Sequence, residues 1–105
     1  MVFLLLACVD LDLAVGCDFR DGSVNGPEPR CQERTGAQSA GFDATCEALG
    51  GTAVDGGCPS EGIVAGCDLS VAGTAGEVID WYYDPKTVEE ITTECTDDDA
   101  TFIEP

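Results

Sequence analysis

The spacing of apolar residues changes period along this chain. Between Gly41 and Gly50, Phe42, Cys46 and Leu49 fall at i, i+4 and i+7, a single stripe on a 3.6-residue helix. Gly50-Gly51 supplies the stop, because glycine takes up the left-handed backbone that ends a helix. From Gly62 to Leu69 the period falls to two, which places Ile63, Ala65, Cys67 and Leu69 on one face of a predicted strand. Glu77 to Tyr83 carries the densest run of β-formers, Val78, Ile79, Trp81, Tyr82 and Tyr83. The short glycine-bearing turn at 72–76 predicts that these two strands pair as a hairpin. A second helix is predicted after Asp84-Pro85: Thr87 and Glu90 have the spacing of a capping box, and Val88, Ile91 and Cys95 recur at i, i+3 and i+7. Shorter strands are predicted at 31–34, 52–54 and 101–103. Asp21-Gly22, Asn25-Gly26, Pro27 and Pro29 predict loop between 18 and 30.

Both predicted helices carry a cysteine near the C-terminal end, Cys46 and Cys95. Each is followed by a turn and a threonine-led β-like segment, Thr52-Ala53-Val54 or Thr101-Phe102-Ile103. This faint repeat predicts two similar helix–strand units on one small sheet. The fold expected is α+β, a small disulfide-rich domain with an antiparallel sheet and two short helices.

Composition explains the disulfides. The chain has 105 residues, 13 of them Gly, and past Cys8 its aromatics are only Phe19, Phe42, Trp81, Tyr82, Tyr83 and Phe102. A core this thin needs staples. Seven cysteines supply them, and with no His and no CxxC pair the usual zinc spacings are absent. Such density in a short chain points to an oxidising compartment. Six cysteines, Cys17, Cys31, Cys46, Cys58, Cys67 and Cys95, form the expected disulfide set. They allow fifteen pairings. Cys46 with Cys58 is the best single pair, since a helix end and the close of the following turn can meet.

The seventh cysteine has a separate expected job. Leu5-Leu6-Ala7-Cys8 resembles the end of a bacterial lipoprotein signal, which implies cleavage after Ala7 and a lipid on Cys8. Residues 1–7 read as a truncated signal without a basic front, 8–16 as a tether and 17–105 as the folded domain. A rival site, Ala14-Val15-Gly16-Cys17, puts Asp10 and Asp12 inside the apolar stretch and leaves five cysteines downstream, an odd number. The expectation is an exported protein, lipid-anchored in the cell envelope.

From residue 17 onward the chain resembles a group of small Cys-rich exported bacterial proteins. The resemblance rests on Cys31 to Gly36, Cys46 with Gly50-Gly51-Thr52, Gly57-Cys58-Pro59, Val64-Ala65-Gly66-Cys67, Trp81-Tyr82-Tyr83 and Cys95. It implies topology and location, and carries no activity.

Charge narrows the functions. Twenty-one acids face only Arg20, Arg30, Arg34 and Lys86, a net charge of −17. Nucleic acid and anionic lipid heads both need cations, so neither is an expected partner. Without His, and with every thiol paired or lipidated, the commonest general base and a thiol nucleophile are missing. Carboxylate pairs such as Asp80 with Asp84, or Glu89 with Glu90, are what chance gives among 21 acids. The expected protein is therefore non-enzymatic, structural or protein-binding. Two alternatives have candidate residues. A ligand-binding module would use Trp81, Tyr82 and Tyr83 to stack on glycan or peptide, or Asp18, Asp21, Asn25 and Glu28 to hold calcium, the one candidate cofactor. A protease inhibitor would present Arg30 from the stiff Pro27-Glu28-Pro29 loop.

Overall fold

The computed structural model describes residues 13–105. The signal at 1–7, Cys8 and most of the expected tether lie outside the described residues.

The elements are β1 (Ala14–Asp18), β2 (Arg30–Thr35), a 3-10 turn (Gly36–Ser39), α1 (Phe42–Ala48), β3 (Thr52–Asp55), β4 (Ile63–Asp68), β5 (Val78–Tyr83), α2 (Val88–Asp97) and β6 (Thr101–Ile103). Six strands form one sheet in the order β3-β1-β2-β5-β4-β6, and every pairing is antiparallel. The fold is α+β and disulfide-rich, as the residue pattern predicts.

The strand order reads as two halves related by a two-fold. In the first, β1 lies between β2 and β3; in the second, β4 lies between β5 and β6. The registers agree residue by residue. Gly16 lies opposite Glu33 and Val54, and Gly66 opposite Trp81 and Ile103. Cys17 lies opposite Gln32 and Ala53, and Cys67 opposite Asp80 and Phe102. At the centre Gln32 lies opposite Asp80. These are equivalent positions, so the two-fold passes between them.

Residues opposed in register project to the same side of the sheet. On one side α1 covers Val15, Cys17 and Phe19 with its buried Phe42 and Cys46. Its counterpart α2 covers Ala65, Cys67 and Tyr82 with Ile91 and Cys95. One disulfide locks each helix to the middle strand of its half: Cys17–Cys46, with Cα atoms 5.4 Å apart, and Cys67–Cys95, 5.2 Å apart. The third, Cys31–Cys58, joins β2 to the segment between the halves. The expected Cys46–Cys58 bond is therefore wrong. Sequence proximity favoured it, but Cys46 faces the sheet from the helix side and finds Cys17 there.

Other expectations are corrected locally. The folded domain starts by Ala14, not Cys17, because β1 takes Ala14–Gly16 from the expected tether. Cys17, the rival lipidation candidate, is bonded to Cys46. Leu49 and Val88 are exposed, so each helix buries a narrower stripe than its spacing predicts. A bulge between Ile63 and Ala65 breaks the alternation of β4: Ile63 pairs with Tyr83, while Ala65 pairs with Tyr82 on the helix side. The capping box forms as predicted, with Thr87 Oγ1 accepting from the Glu90 amide and Glu90 Oε1 from the Thr87 amide.

Candidate functional site

The side of the sheet away from the helices is crossed by the segment 56–62, which carries the chain from β3 to β4. Gly56 and Gly57 begin it at φ +87° and +105°, left-handed backbone that a side chain would strain. The strap then lies so close to β1 that a Cβ on Gly16 would sit 2.9 Å from the Cys58 nitrogen. At its start the Gly56 amide donates to the Ala14 carbonyl oxygen at 3.0 Å, and three further interactions hold it. Cys58 is bonded to Cys31. The Cys58 amide donates to Glu33 Oε1 at 2.8 Å. The Tyr83 hydroxyl donates to the Pro59 carbonyl oxygen at 2.6 Å.

Beside the strap sits Trp81, opposite Cys31 on β2 and Gly66 on β4. A Cβ on Gly66 would meet the Trp81 ring at 2.6 Å, so the indole lies directly over that glycine. In the first half the strap backbone covers Gly16; in the second the Trp81 ring covers Gly66. Trp81 is half-buried, whereas Tyr82 and Tyr83 are 4% and 2% exposed. The three aromatics do not share a face. Tyr82 packs under α2 with Ile91 and Cys95. Tyr83 lies under the Arg20 guanidinium, 4.1 Å from the ring centre. Burial pushes the Tyr82 phenol above its ordinary range and the Tyr83 phenol up to about 12.

On the helix side, β2 and β5 carry a polar ladder between the two helices. Arg34 Nε donates to Gln32 Oε1, Gln32 Nε2 donates to Asp80 Oδ1, and Arg30 Nη1 donates to the same Asp80 oxygen. Burial raises the Asp80 carboxyl above its usual value, against the opposing pull of Arg30. Arg30 also stacks over Phe19 and donates from Nε to Glu28 Oε1. Its guanidinium is thus folded onto the sheet and not presented from the proline loop.

The expected calcium residues are not gathered. Asp18 is bound by Arg20 through two side-chain nitrogens, at 3.0 and 2.8 Å. Burial pushes its carboxyl upward, but the hydrogen bonds and charge of Arg20 together hold it below its ordinary value. Glu28 accepts from Ser23 and Arg30, and Asn25 and Asp21 lie in the exposed loop. Among the described residues no three His, Cys, Asp or Glu side chains are grouped to hold a metal. At this end of the sheet Arg20, Pro27, Glu28, Pro29, Asp84 and Pro85 line an open cleft of about 280 Å³.

Gly16 and Gly66, which set both close approaches, were not singled out by pattern. A signal for them exists: Ala14-Val15-Gly16-Cys17-Asp18 recurs as Val64-Ala65-Gly66-Cys67-Asp68. No family model, no curated protein and no solved structure matches this chain.

Proposed function

We propose that this chain is an exported, non-enzymatic interaction domain held at the cell envelope by lipid on Cys8. The observation that carries the reading is cysteine arithmetic. The six cysteines from Cys17 to Cys95 are consumed in three disulfides, which leaves Cys8 free for a different chemistry. Three disulfides are compatible with an oxidising, extracytoplasmic compartment. A lipid thioether uses the remaining thiol without competing for the others. The domain so tethered meets an envelope protein, and its high negative charge keeps it off anionic surfaces and steers it toward basic ones. Palmitate labelling of the expressed full chain tests the anchor. Label that depends on Cys8, with globomycin leaving a labelled but uncleaved precursor, supports it; label that survives Cys8→Ser, or no label, overturns it.

A second reading is favoured by one specific observation: Trp81 alone of the aromatic run keeps part of its ring accessible. A single indole braced against Gly66 and beside a disulfide is a rigid stacking surface for a sugar ring. Saturable change in Trp81 emission with a glycan, lost in Trp81→Ala, is the expected result. A glycan array without hits removes this reading.

A further inference from the structure

The two halves differ at one covalent feature, and that difference assigns it a chemistry. Cys17–Cys46 and Cys67–Cys95 are counterparts that fix a helix to a strand. Cys31–Cys58 has no counterpart: the position equivalent to Cys31 in β5 is Ile79. The second half keeps its sheet and helix with no such bond. The five cysteines Cys17, Cys31, Cys46, Cys67 and Cys95 are all between 0% and 2% exposed. Cys58 is half-buried, on the strap above the sheet. Its partner Cys31 lies on the sheet floor beneath it.

We propose that Cys31–Cys58 is a thiol–disulfide exchange site, and that its reduction by an external dithiol releases the strap from the sheet. The access is one-sided. Cys58 is the partly exposed partner and Cys31 the fully buried one, so a dithiol thiolate approaching from solvent attacks at Cys58, with Cys31 as leaving group. Attack forms a mixed disulfide at Cys58 and breaks the Cys31–Cys58 bond. Cys31 departs as a thiolate and takes up a proton. The second thiol of the reductant then attacks the mixed disulfide, frees Cys58 as a thiol and leaves the reductant as its own disulfide. Two electrons pass from the dithiol to the protein, and no other reactant is needed.

Release has a structural consequence. The strap is then held by three hydrogen bonds, Gly56 amide to Ala14 at its start, Cys58 amide to Glu33 and Tyr83 hydroxyl to Pro59. Its departure uncovers Gly16, Cys31 and Tyr83, next to Trp81, while each helix stays locked by its own disulfide. The strap is a redox-released cover over one face of the sheet.

The test uses the folded full chain, exposed to graded dithiothreitol without denaturant, quenched with iodoacetamide and mapped by mass spectrometry, with Cys8 read separately. Cys31 and Cys58 are expected to be labelled together, about tenfold or more faster than the other four, because those require the protein to open. Trp81 emission is expected to rise in step, as the disulfide opposite it is lost, with far-ultraviolet dichroism unchanged. The double variant Cys31→Ser/Cys58→Ser is expected to fold, to show the brighter emission from the start and to be unaffected by the same dithiol doses. Parallel labelling of all six cysteines, earlier labelling of Cys67 and Cys95, or failure of the double variant to fold would each overturn the proposal.

Discussion

In the first half, Cys17–Cys46 pins a seven-residue helix whose N-cap is Gly41, a residue with no side chain to offer the free amides. In the second, Cys67–Cys95 pins a ten-residue helix opened by a complete capping box. The loops closed are nearly equal, with separations of 29 and 28 residues. Chain entropy therefore gives both bonds the same contribution, about 3.6 kcal/mol each, and cannot distinguish them. What differs is how much of each helix stands without its staple. A short, uncapped helix is marginal, so α1 depends on its disulfide more than α2 does. The comparison also shows one packing position filled in different ways. Arg34 stacks on Phe42 where Tyr82 packs against Ile91, and strap backbone covers Gly16 where an indole covers Gly66. The shared frame is backbone pairing and a cysteine; the filling is free to vary.

The largest expected effect comes from the staples. Cys17→Ala with Cys46→Ala should destabilise by about 4–5 kcal/mol and remove the helical dichroism of α1, while Cys67→Ala with Cys95→Ala should cost about 3–4 kcal/mol and leave α2 formed. Urea melts of the two double variants check this. Equal losses, or the reverse order, would show that helix length and capping do not set the difference. Next come the close approaches. Gly16→Ala and Gly66→Ala should each cost about 1–3 kcal/mol through overpacking. Only Gly66→Ala should shift Trp81 emission, because only there is the indole displaced. Matching emission changes in both variants would break the assignment of strap to one half and ring to the other. Smaller still is the cap. Thr87→Ala should cost about 1 kcal/mol, read as a modest fall in Tm, with no equivalent available at Gly41.

Both helices, the β4–β5 pairing and the capping box were legible because each is a local pattern. Period, turn residues and cap spacing all act within a few residues. The strand β1 was not legible. Ala14-Val15-Gly16-Cys17 has the small-apolar-then-Cys form of a lipidation signal and reads as the end of a tether, whereas its pairing with β2 and β3 makes it a strand. The disulfide pairing failed for a related reason. Cys46 and Cys58 are close in sequence but point to opposite sides of the sheet, and only the topology separates them. The recurrence of Gly-Cys-Asp at 16–18 and 66–68 carried that information. It equates Cys17 with Cys67, and with Cys46 equated to Cys95 the repeat is consistent with one strand–helix bond in each half, the pairing the structure has. For the candidate site, period two along Glu77 to Tyr83 places Trp81 and Tyr83 on the face away from Tyr82, and the pairing registers agree. It could not show that Tyr83 is covered by the strap.

At neutral pH the phenols add nothing to the comparison, and their effect emerges only in alkali. Both tyrosine hydroxyls are raised on folding, so the stability they carry is complete below the unfolded value of 10 and is lost as pH rises through the folded values. Tyrosinate absorbance should stay low at pH 11 and appear together with unfolding. Gradual ionisation of a folded protein near pH 10 would show that the phenols are not buried. On the acid side, Asp18 is held low by Arg20, so its contribution is present above pH 3.8 and falls away as pH drops through the folded value.

The intact mass of the mature protein, followed by non-reducing peptide mapping, tests the central claim most directly. The expected result is loss of six hydrogens, the three links Cys17–Cys46, Cys31–Cys58 and Cys67–Cys95, and a lipid on Cys8. A disulfide that includes Cys8, a free thiol among the other six, or an unmodified Cys8 would contradict it.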